Sequence, residues 1–373
     1  MKILWFLPPV LGRGGIETVT LHYAREFRKV GIDFVTVFSG PSLKDRSWEV
    51  QLGHVHIGPV YGILDRKFVL NWLGPLRRFY REVVASERPD VVVFNWAPLA
   101  IVLSKRKISM LSGKVVTKVV YEHGGWSQLN TSKVYRGAYR LGLQVSDHII
   151  CGGPDYAQAL GRALKLRHVS SIGVPIELPS ETIPRGTSCR VVFVGRVQRE
   201  QKRIDRLLDA IARLPQIASW TIQVVGDGDD LGWFQERVSQ LGVSDRFTWT
   251  GWQSNPWEHI KEATFLAFPS AHEGFAMVMV EAMSHGIPVL STDCDFGPRT
   301  IIREGVNGWL VPNNDSDFGN ALHHIVLGEW PIPSPDRVRA TVVEFDSERV
   351  AKRLQQRLSL PLQHKRSGPS LNL

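Results

Sequence analysis

Short β-branched runs alternate with amphipathic helical stretches along the whole chain, and this predicts an α/β protein built from parallel sheets. A length of 373 residues exceeds one ordinary core and suits two lobes. A stretch without periodicity, Gly173–Ser188 (GVPIELPSETIPRGTS), carries Pro175, Pro179 and Pro184 near the midpoint and reads as a linker. The expected architecture is therefore two Rossmann-like lobes, residues 1–175 and 186–345.

In the first lobe strands are expected at Ile3–Leu7, Phe34–Phe38, Val91–Asn95, Val115–Val120 and His148–Cys151. The helix between the first two is marked by Ile16, Val19, Tyr23, Ala24 and Phe27 at helical spacing, with Gly31 ending it. In the second lobe strands are expected at Val191–Gly195, Thr221–Gly226, Phe265–Pro269 and Pro288–Ser291. Helices are expected at Ile204–Leu214, Leu231–Leu241 and Phe275–His285. A last helix, about 347–360, carries Val350, Leu354 and Leu358 every fourth residue and is expected to rejoin the first lobe. The tail 361–373 reads as disordered.

Composition narrows the class. Hydrophobic residues make up 43% and charged residues 22%, ordinary values for a globular protein. No apolar run approaches the roughly 20 residues of a membrane-spanning helix, and MKILWFLPPV is too short an apolar stretch for a signal peptide. Cys151, Cys189 and Cys294 are scattered, with no zinc or redox spacing, which fits a reducing, cytoplasmic setting. The charge is lopsided: residues 1–180 hold 24 Lys+Arg against 13 Asp+Glu, and residues 181–373 hold 21 against 23. A basic half points to one anionic partner. No zinc finger, aromatic ribonucleoprotein motif or helix-turn-helix pattern supports nucleic acid as that partner.

The strongest chemical signal is HEGFAMVMVEAMSHGIPVLST, residues 272–292. Glu273 and Glu281 flank a helix that starts just after an expected strand, so its N-terminal amides face the strand's carboxyl edge, where diphosphate binds readily. Glu281 is placed to accept hydrogen bonds from ribose hydroxyls and Glu273 to hold sugar hydroxyls. Arg196 and Lys202 follow the first strand of the second lobe, at the edge where ligands of such sheets bind. Gly12, Gly14 and Gly15 follow the chain's first strand and let backbone approach a ligand, but they lack the full dinucleotide spacing, which disfavours a nicotinamide dehydrogenase. Glu17 suits either a ligand contact or the helix dipole. His123, in Glu122-His123-Gly124-Gly125, follows a central strand.

These motifs resemble the retaining glycosyltransferases of family 4, which have the GT-B fold, two Rossmann-like lobes with parallel sheets facing a central cleft. GRGGIETV (12–19), YEHGG (121–125), FVGRVQREQK (193–202), VVGDGDD (224–230) and DFGPRTIIREGVNGWLV (295–311) occur in family order around the 272–292 stretch. The resemblance implies transfer of a hexose or N-acetylhexosamine from a nucleotide diphosphate sugar, a UDP-sugar, to a glycan or lipid-linked glycan, with retention. It assigns catalysis to His123, Arg196, Lys202 and Glu273. Donor binding falls to Gly14, Gly15, Gly195, Arg196, Lys202, Gly226, Trp252, Glu273, Gly274, Phe275, Ala276 and Glu281. His123 would contact the donor sugar near the reacting carbon. Trp252 would wall the base pocket, with core packing as the other reading.

Two departures from the family stand out. The Arg196-to-Lys202 spacing is one residue longer than usual, so Arg203 is a second candidate for that role. Thr300 stands where galactosyl- and N-acetylgalactosaminyl-transferring relatives usually carry Glu. The pairs Asp227/Asp229 and Asp293/Asp295 look like metal ligands, but the family uses cationic side chains, so no metal or other cofactor is expected. A sugar-nucleotide epimerase or hydrolase of the same fold is the rival reading.

Three basic segments complete the pattern: Leu70–Glu87 with Arg77, Arg78 and Arg81; Ser104–Lys118 with Lys105, Arg106, Lys107, Lys114 and Lys118; and a helix with Lys133, Arg136 and Arg140 beside Tyr135 and Tyr139. Such segments suit either an anionic membrane surface on the cytoplasmic leaflet, where a lipid-linked acceptor would lie, or plain solvation.

Overall fold

The structure, a computed structural model, describes residues 1–8, 14–40, 49–59, 73–124, 133–215 and 218–364. The expectations placed on Gly12, Gly125, residues 70–72 and the tail from 365 fall outside these residues. The chain divides into two compact units, Met1–Pro175 with Ser347–Leu373, and Ile176–Asp346.

In the first unit seven strands, β1 (Lys2–Leu7), β2 (Asp33–Phe38), β3 (Val55–Ile57), β4 (Val91–Phe94), β5 (Thr117–Glu122), β6 (His148–Cys151) and β7 (Val169–Ser171), form one sheet in the order β3-β2-β1-β4-β5-β6-β7. Every pairing is parallel. Helices covering both faces leave the central strands no wet side, so they read as continuous apolar runs: Ile3–Leu7 and Val91–Phe94 are fully buried. The helices are α1 (Gly15–Lys29), α2 (Leu73–Glu87), α3 (Lys105–Ser112), α4 (Lys133–Gln144) and α5 (Pro154–Leu164).

Helix α1 buries Val19, Tyr23, Ala24 and Phe27. Trp5 packs against Tyr23, Phe34 and Tyr121 at 5.3, 5.5 and 5.6 Å, and its indole N–H is satisfied by Thr20 Oγ1 at 3.0 Å. The C-terminal helix Ser347–His364 returns to this unit, burying Val350, Leu354 and Leu358 completely. Each such side chain contributes about 1.5–3 kcal/mol of burial. The helix runs to His364, four residues into the segment expected to be disordered.

The second unit repeats the plan with six strands, β8 (Cys189–Val194), β9 (Trp220–Val225), β10 (Phe247–Gly251), β11 (Phe265–Phe268), β12 (Val289–Thr292) and β13 (Gly308–Val311). Their order is β10-β9-β8-β11-β12-β13, again all parallel. Its helices are α6 (Ile204–Ile211), α7 (Leu231–Gln240), α8 (Met277–Ser284), α9 (Pro298–Ile301), α10 (Asp315–Val326) and α11 (Pro335–Ala340), which makes the returning C-terminal helix α12. Phe193, Leu207, Ile222, Phe234, Leu290 and Phe318 anchor its core.

The segment expected as a linker contains the boundary between the two units, and from Ile176 onward it is packed into the second. Ile176 and Ile183 are buried, Ile176 N–H donates to the Phe345 carbonyl at 2.9 Å, and Ile183 N–H donates to the His285 carbonyl at 2.8 Å. Its prolines prevent a helix without preventing burial. Four strands escaped the pattern reading. Two of them, β3 and β7, are three-residue edge strands with little burial to impose a period. Among the described residues, no helix is long and apolar enough to cross a membrane.

One glycine position is dictated by the site. Gly226 adopts φ +151°, and a Cβ there would sit 1.9 Å from the Gly195 carbonyl oxygen. The loops leaving β8 and β9 are zipped along this line, with Gly195 N–H to the Val225 carbonyl and Val197 N–H to the Asp227 carbonyl at 3.0 Å each. Gly226→Ala should therefore cost at least about 2 kcal/mol from backbone strain and crowding combined. The loss would appear in urea unfolding of the second unit; an unchanged midpoint would mean that the Gly195 loop moves freely aside.

Candidate active site

In both sheets strand order reverses, between β1 and β4 and between β8 and β11. At such a switch point adjacent loops diverge to opposite faces and leave a crevice at the carboxyl edge. Gly14 and His123 in the first unit, and Gly195, Arg196, Lys202, Gly226, Trp252 and Glu273 to Ala276 in the second, lie on loops that follow strands, whereas Gly15 opens α1 and Glu281 lies within α8.

In the second unit the loops after β8 and β11 are laced together. Ala271 N–H donates to the Gln201 carbonyl at 2.8 Å, Gln201 Nε2 donates to the His272 carbonyl at 3.3 Å, and Lys202 Nζ donates to Glu273 Oε1 at 2.6 Å. Both side chains of this ion pair are largely buried, at 16% and 9% exposure, and Lys202 also lies 5.1 Å over the Phe268 ring. A charge-assisted bond in so dry a place fixes both groups. Arg196 differs: it is exposed and has no partner among the described residues. Arg203, the second candidate for the Lys202 role, is held by Asp205 at 3.0 Å and Asp315 at 3.1 Å. The buried Arg206 binds Asp315, Asn313 and the Pro269 carbonyl and so ties this loop to β11. Its place within an apolar helix stripe was the only sequence signal for that role.

Helix α8 begins two residues later than expected because Ala276 takes the left-handed conformation, φ +66°, and caps it. A non-glycine residue there stores strain, and the neighbouring loop holds it in place: Gly297, at φ +98°, runs so close that a Cβ would be 2.3 Å from the Phe275 carbonyl oxygen. Gly274 and Phe275 lead into this turn, and Glu281 lies in the second turn of α8. Glu281 Oε2 accepts from Trp257 Nε1 at 3.3 Å, and Trp257 stacks on His285 at 5.1 Å. Trp257 was not singled out from the sequence, where NPWEH has no period to mark it. Trp252 is 49% exposed, which rules out the core-packing reading.

The acidic pairs have local employment. Asp227 Oδ1 caps its own turn by accepting from Gly228 N–H at 2.7 Å, and Asp293 pairs with Arg299 at 2.6 Å. Among the described residues the one grouping whose ligand atoms cluster as a metal site requires is His54, His56 and Glu87, at the amino edge of the first sheet. There Glu87 Oε1 already binds His56 and Oε2 binds Lys2, each at 2.8 Å, so the carboxylate is neutralised within the protein.

In the first unit Glu17 is buried and reaches back to the Gly14 N–H at 2.9 Å, the helix-capping one of its two readings. Burial raises its carboxyl above the usual range. Glu122, at the end of β5, accepts from Gly124 N–H at 3.2 Å and Tyr156 O–H at 3.4 Å. His123 lies against the Tyr121 ring at 4.7 Å and bonds Asn95 through Nε2 at 3.0 Å. Burial lowers its pKa to about 3, so the ring is neutral at physiological pH.

Two of the basic segments change on folding. Lys118 is fully buried and donates to the Ala100 and Leu103 carbonyls, which removes it from the basic face. Tyr139 is buried at 1% exposure, and Tyr135 accepts from Trp96 Nε1 at 3.1 Å, so Tyr139 packs inward and Tyr135 has a local partner. Lys105 and Lys114 are paired with Asp147 and Asp90. Arg77, Arg81, Arg106, Arg136 and Arg140 remain exposed.

Two doubly wound parallel sheets, one in each unit, are the architecture of the GT-B glycosyltransferases. The family models described as Glycosyltransferase Family 4 and Glycosyl transferases group 1 match residues 13–177 and 188–327. A lipopolysaccharide 1,6-galactosyltransferase of Escherichia coli (strain K12) is 33% identical over 373 residues, covering 95% of this chain and 97% of that protein. The enzyme of the same name from Salmonella typhimurium (strain LT2) is 28% identical over 344 residues, 88% and 90% of the two chains. A solved lipopolysaccharide outer core galactosyltransferase in its apo form superposes with a TM-score of 0.77 at 26% identity, covering 97% of this chain and 100% of that one. The chain belongs to the family 4 glycosyltransferases.

The His123 value sets a pH dependence. Its pKa falls from 6.5 to about 3 on folding, so protonation favours the unfolded chain. The stability it contributes is complete above about pH 6.5 and is lost as pH falls toward 3. Thermal unfolding midpoints between pH 6.5 and 4 should fall less steeply in His123→Gln than in the parent; parallel curves would mean that the folded ring protonates as easily as the unfolded one.

Proposed function

We propose that this glycosyltransferase moves galactose, or a related hexose or N-acetylhexosamine, from a UDP-sugar to a lipopolysaccharide or lipid-linked glycan acceptor, with retention and without a divalent metal. The relatives' names support the sugar and the acceptor. The observation that carries the chemistry is the Lys202–Glu273 pair at 2.6 Å across the β8/β11 switch point, with Arg196 on the same loop unpaired among the described residues.

Cleaving the anomeric bond leaves a diphosphate that gains negative charge, and preorganised cations and amides at that place lower the barrier. Arg196 supplies a planar fork to phosphate oxygens and Lys202 a fixed point charge. The N–H groups at the start of α8 add a positive dipole end. Gly195, Gly226, Gly274, Phe275 and Ala276 shape the backbone around the diphosphate, Glu281 receives the ribose, and Gly14 and Gly15 approach the donor by their backbone. A carboxylate held by an ammonium is a poor nucleophile, so Glu273 orients sugar hydroxyls, and the departing phosphate deprotonates the acceptor on the face it leaves.

Donor choice is tested by turnover with UDP-, GDP- and dTDP-sugars. Arg196→Ala should lower kcat about 10²–10³-fold with little change in KM, as for a lost oxyanion donor; a raised KM at normal kcat would assign the arginine to uniform binding. Turnover should survive EDTA. The product's anomeric coupling constant should match the donor's, and an inverted product would refute retention.

The exposed arginines of α2, α3 and α4 support docking of the first unit to an anionic membrane, each contributing about 1 kcal/mol near such a surface. Vesicle co-sedimentation should favour phosphatidylglycerol over phosphatidylcholine. The triple variant Arg77→Glu, Arg78→Glu, Arg81→Glu should lose that preference; equal binding to both lipids would leave these side chains as solvation alone.

A further inference from the structure

Asn95 was not among the candidate residues, yet it occupies the first switch point. It follows β4 directly, between β1 and β5, and is 4% exposed. Its side chain makes two bonds. Nδ2 donates to the Phe6 carbonyl at 3.2 Å, and Oδ1 lies 3.0 Å from His123 Nε2. Its backbone N–H donates to the same Phe6 carbonyl at 2.9 Å.

These contacts decide the hydrogen positions. Turning the amide over would set its oxygen against the Phe6 carbonyl oxygen and its NH₂ against the histidine, breaking one bond and opposing two acceptors. With Nδ2 on the carbonyl, Oδ1 can only accept, so His123 Nε2 must carry a proton. A neutral imidazole has one N–H, and Nδ1 is then left with a lone pair. Burial keeps the ring neutral, with a pKa of about 3. Among the described residues no group bonds Nδ1. The Tyr121 ring packs against the imidazole, tilted, at 4.7 Å. The preceding residue, Glu122, has its carboxylate engaged by Gly124 N–H and Tyr156 O–H.

We propose that Asn95 is a positioning residue that fixes His123 as its Nε2–H tautomer, so that the ring meets a donor-sugar hydroxyl with Nδ1 as hydrogen-bond acceptor. This rests on the reading of His123 as a donor-sugar contact and specifies its polarity. The ring then neither donates a proton to the sugar nor stabilises charge as an imidazolium. It demands a hydroxyl that can donate. Fluorine, which accepts but cannot donate, is as poor a replacement for that hydroxyl as hydrogen, whereas a donating histidine would tolerate fluorine.

Long-range ¹H–¹⁵N spectra of histidine-labelled protein, with the His123 signals assigned by their loss in His123→Gln, report the tautomer without any ligand. The expected pattern at pH 7 is a protonated Nε2 and an unprotonated Nδ1. An Nδ1–H tautomer or an imidazolium in the parent protein overturns the inference, whatever the sugar data. Asn95→Leu should lose the pure Nε2–H pattern and about tenfold in kcat/KM, with UDP affinity unchanged by calorimetry; a retained pattern and retained turnover would overturn the role of Asn95. Deoxy and deoxyfluoro donors, compared position by position, complete the test. One position is expected where both lose about tenfold relative to the parent sugar. If the tautomer is as expected but every analogue is used as well as the parent, the contact itself, and with it the donor-sugar reading of His123, is wrong.

Discussion

Parallel pairing is the constraint on which everything else in this molecule depends. A parallel strand cannot be reached by a tight turn, so each pair needs a crossover, and every crossover begins at the same edge of its sheet. The thirteen strands among the described residues, in two sheets, therefore deliver their outgoing loops to two carboxyl edges, with a gap wherever the winding reverses. Glu273 and Lys202 lie 71 positions apart in sequence and become partners because β8 and β11 are neighbours. Asn95 and His123 meet because β4 and β5 are. The chemistry is assembled from residues with no local relation to one another.

The two edges are finished in different chemical styles. At the second, charge dominates: a buried ammonium–carboxylate pair, an exposed guanidinium and the amide end of a short helix suit a ligand that is anionic and becomes more so as a bond breaks. At the first, uncharged groups dominate: the Asn95 amide, the neutral His123 ring and the tilted rings of Trp5 and Tyr121, beside the Glu17 carboxylate that caps α1. These suit hydroxyls, which are recognised by the direction of hydrogen bonds and not by charge. At the charged edge strain is stored at Ala276 and Gly226, where backbone must come close to backbone. Arg206, itself buried, pairs with Asp315 at 2.7 Å and helps to hold that geometry.

The basic character of the first unit shows how folding redistributes a property that composition only counts. Lys118 was one charge among many in the sequence. In the fold it sits inside, satisfying the carbonyls of a short helical turn, while Lys105 and Lys114 are absorbed by Asp147 and Asp90. What remains outside is mainly arginine on α2, α3 and α4. Tyr139, at a helical spacing that suited a membrane-facing surface equally well, turns to the core, because a helix buries whichever stripe meets the sheet.

The sequence by itself determined the fold class, since buried parallel strands and amphipathic helices write their periods directly into residues such as Ile3–Leu7 and Val19–Phe27. It also placed Arg196, Lys202 and Glu273 on strand-following loops and Glu281 on the helix after one of them, because these residues lie in runs whose order along the chain is characteristic. It left open Glu17, Trp252 and Arg203, where a helix cap, an exposed indole and a clamped guanidinium have the same sequence signature as their alternatives. Only tertiary structure decided those, and only it revealed Asn95, Trp257 and Arg206. Their partners lie 28, 24 and 109 positions away, and a hydrogen bond across strands leaves no period in the sequence that makes it.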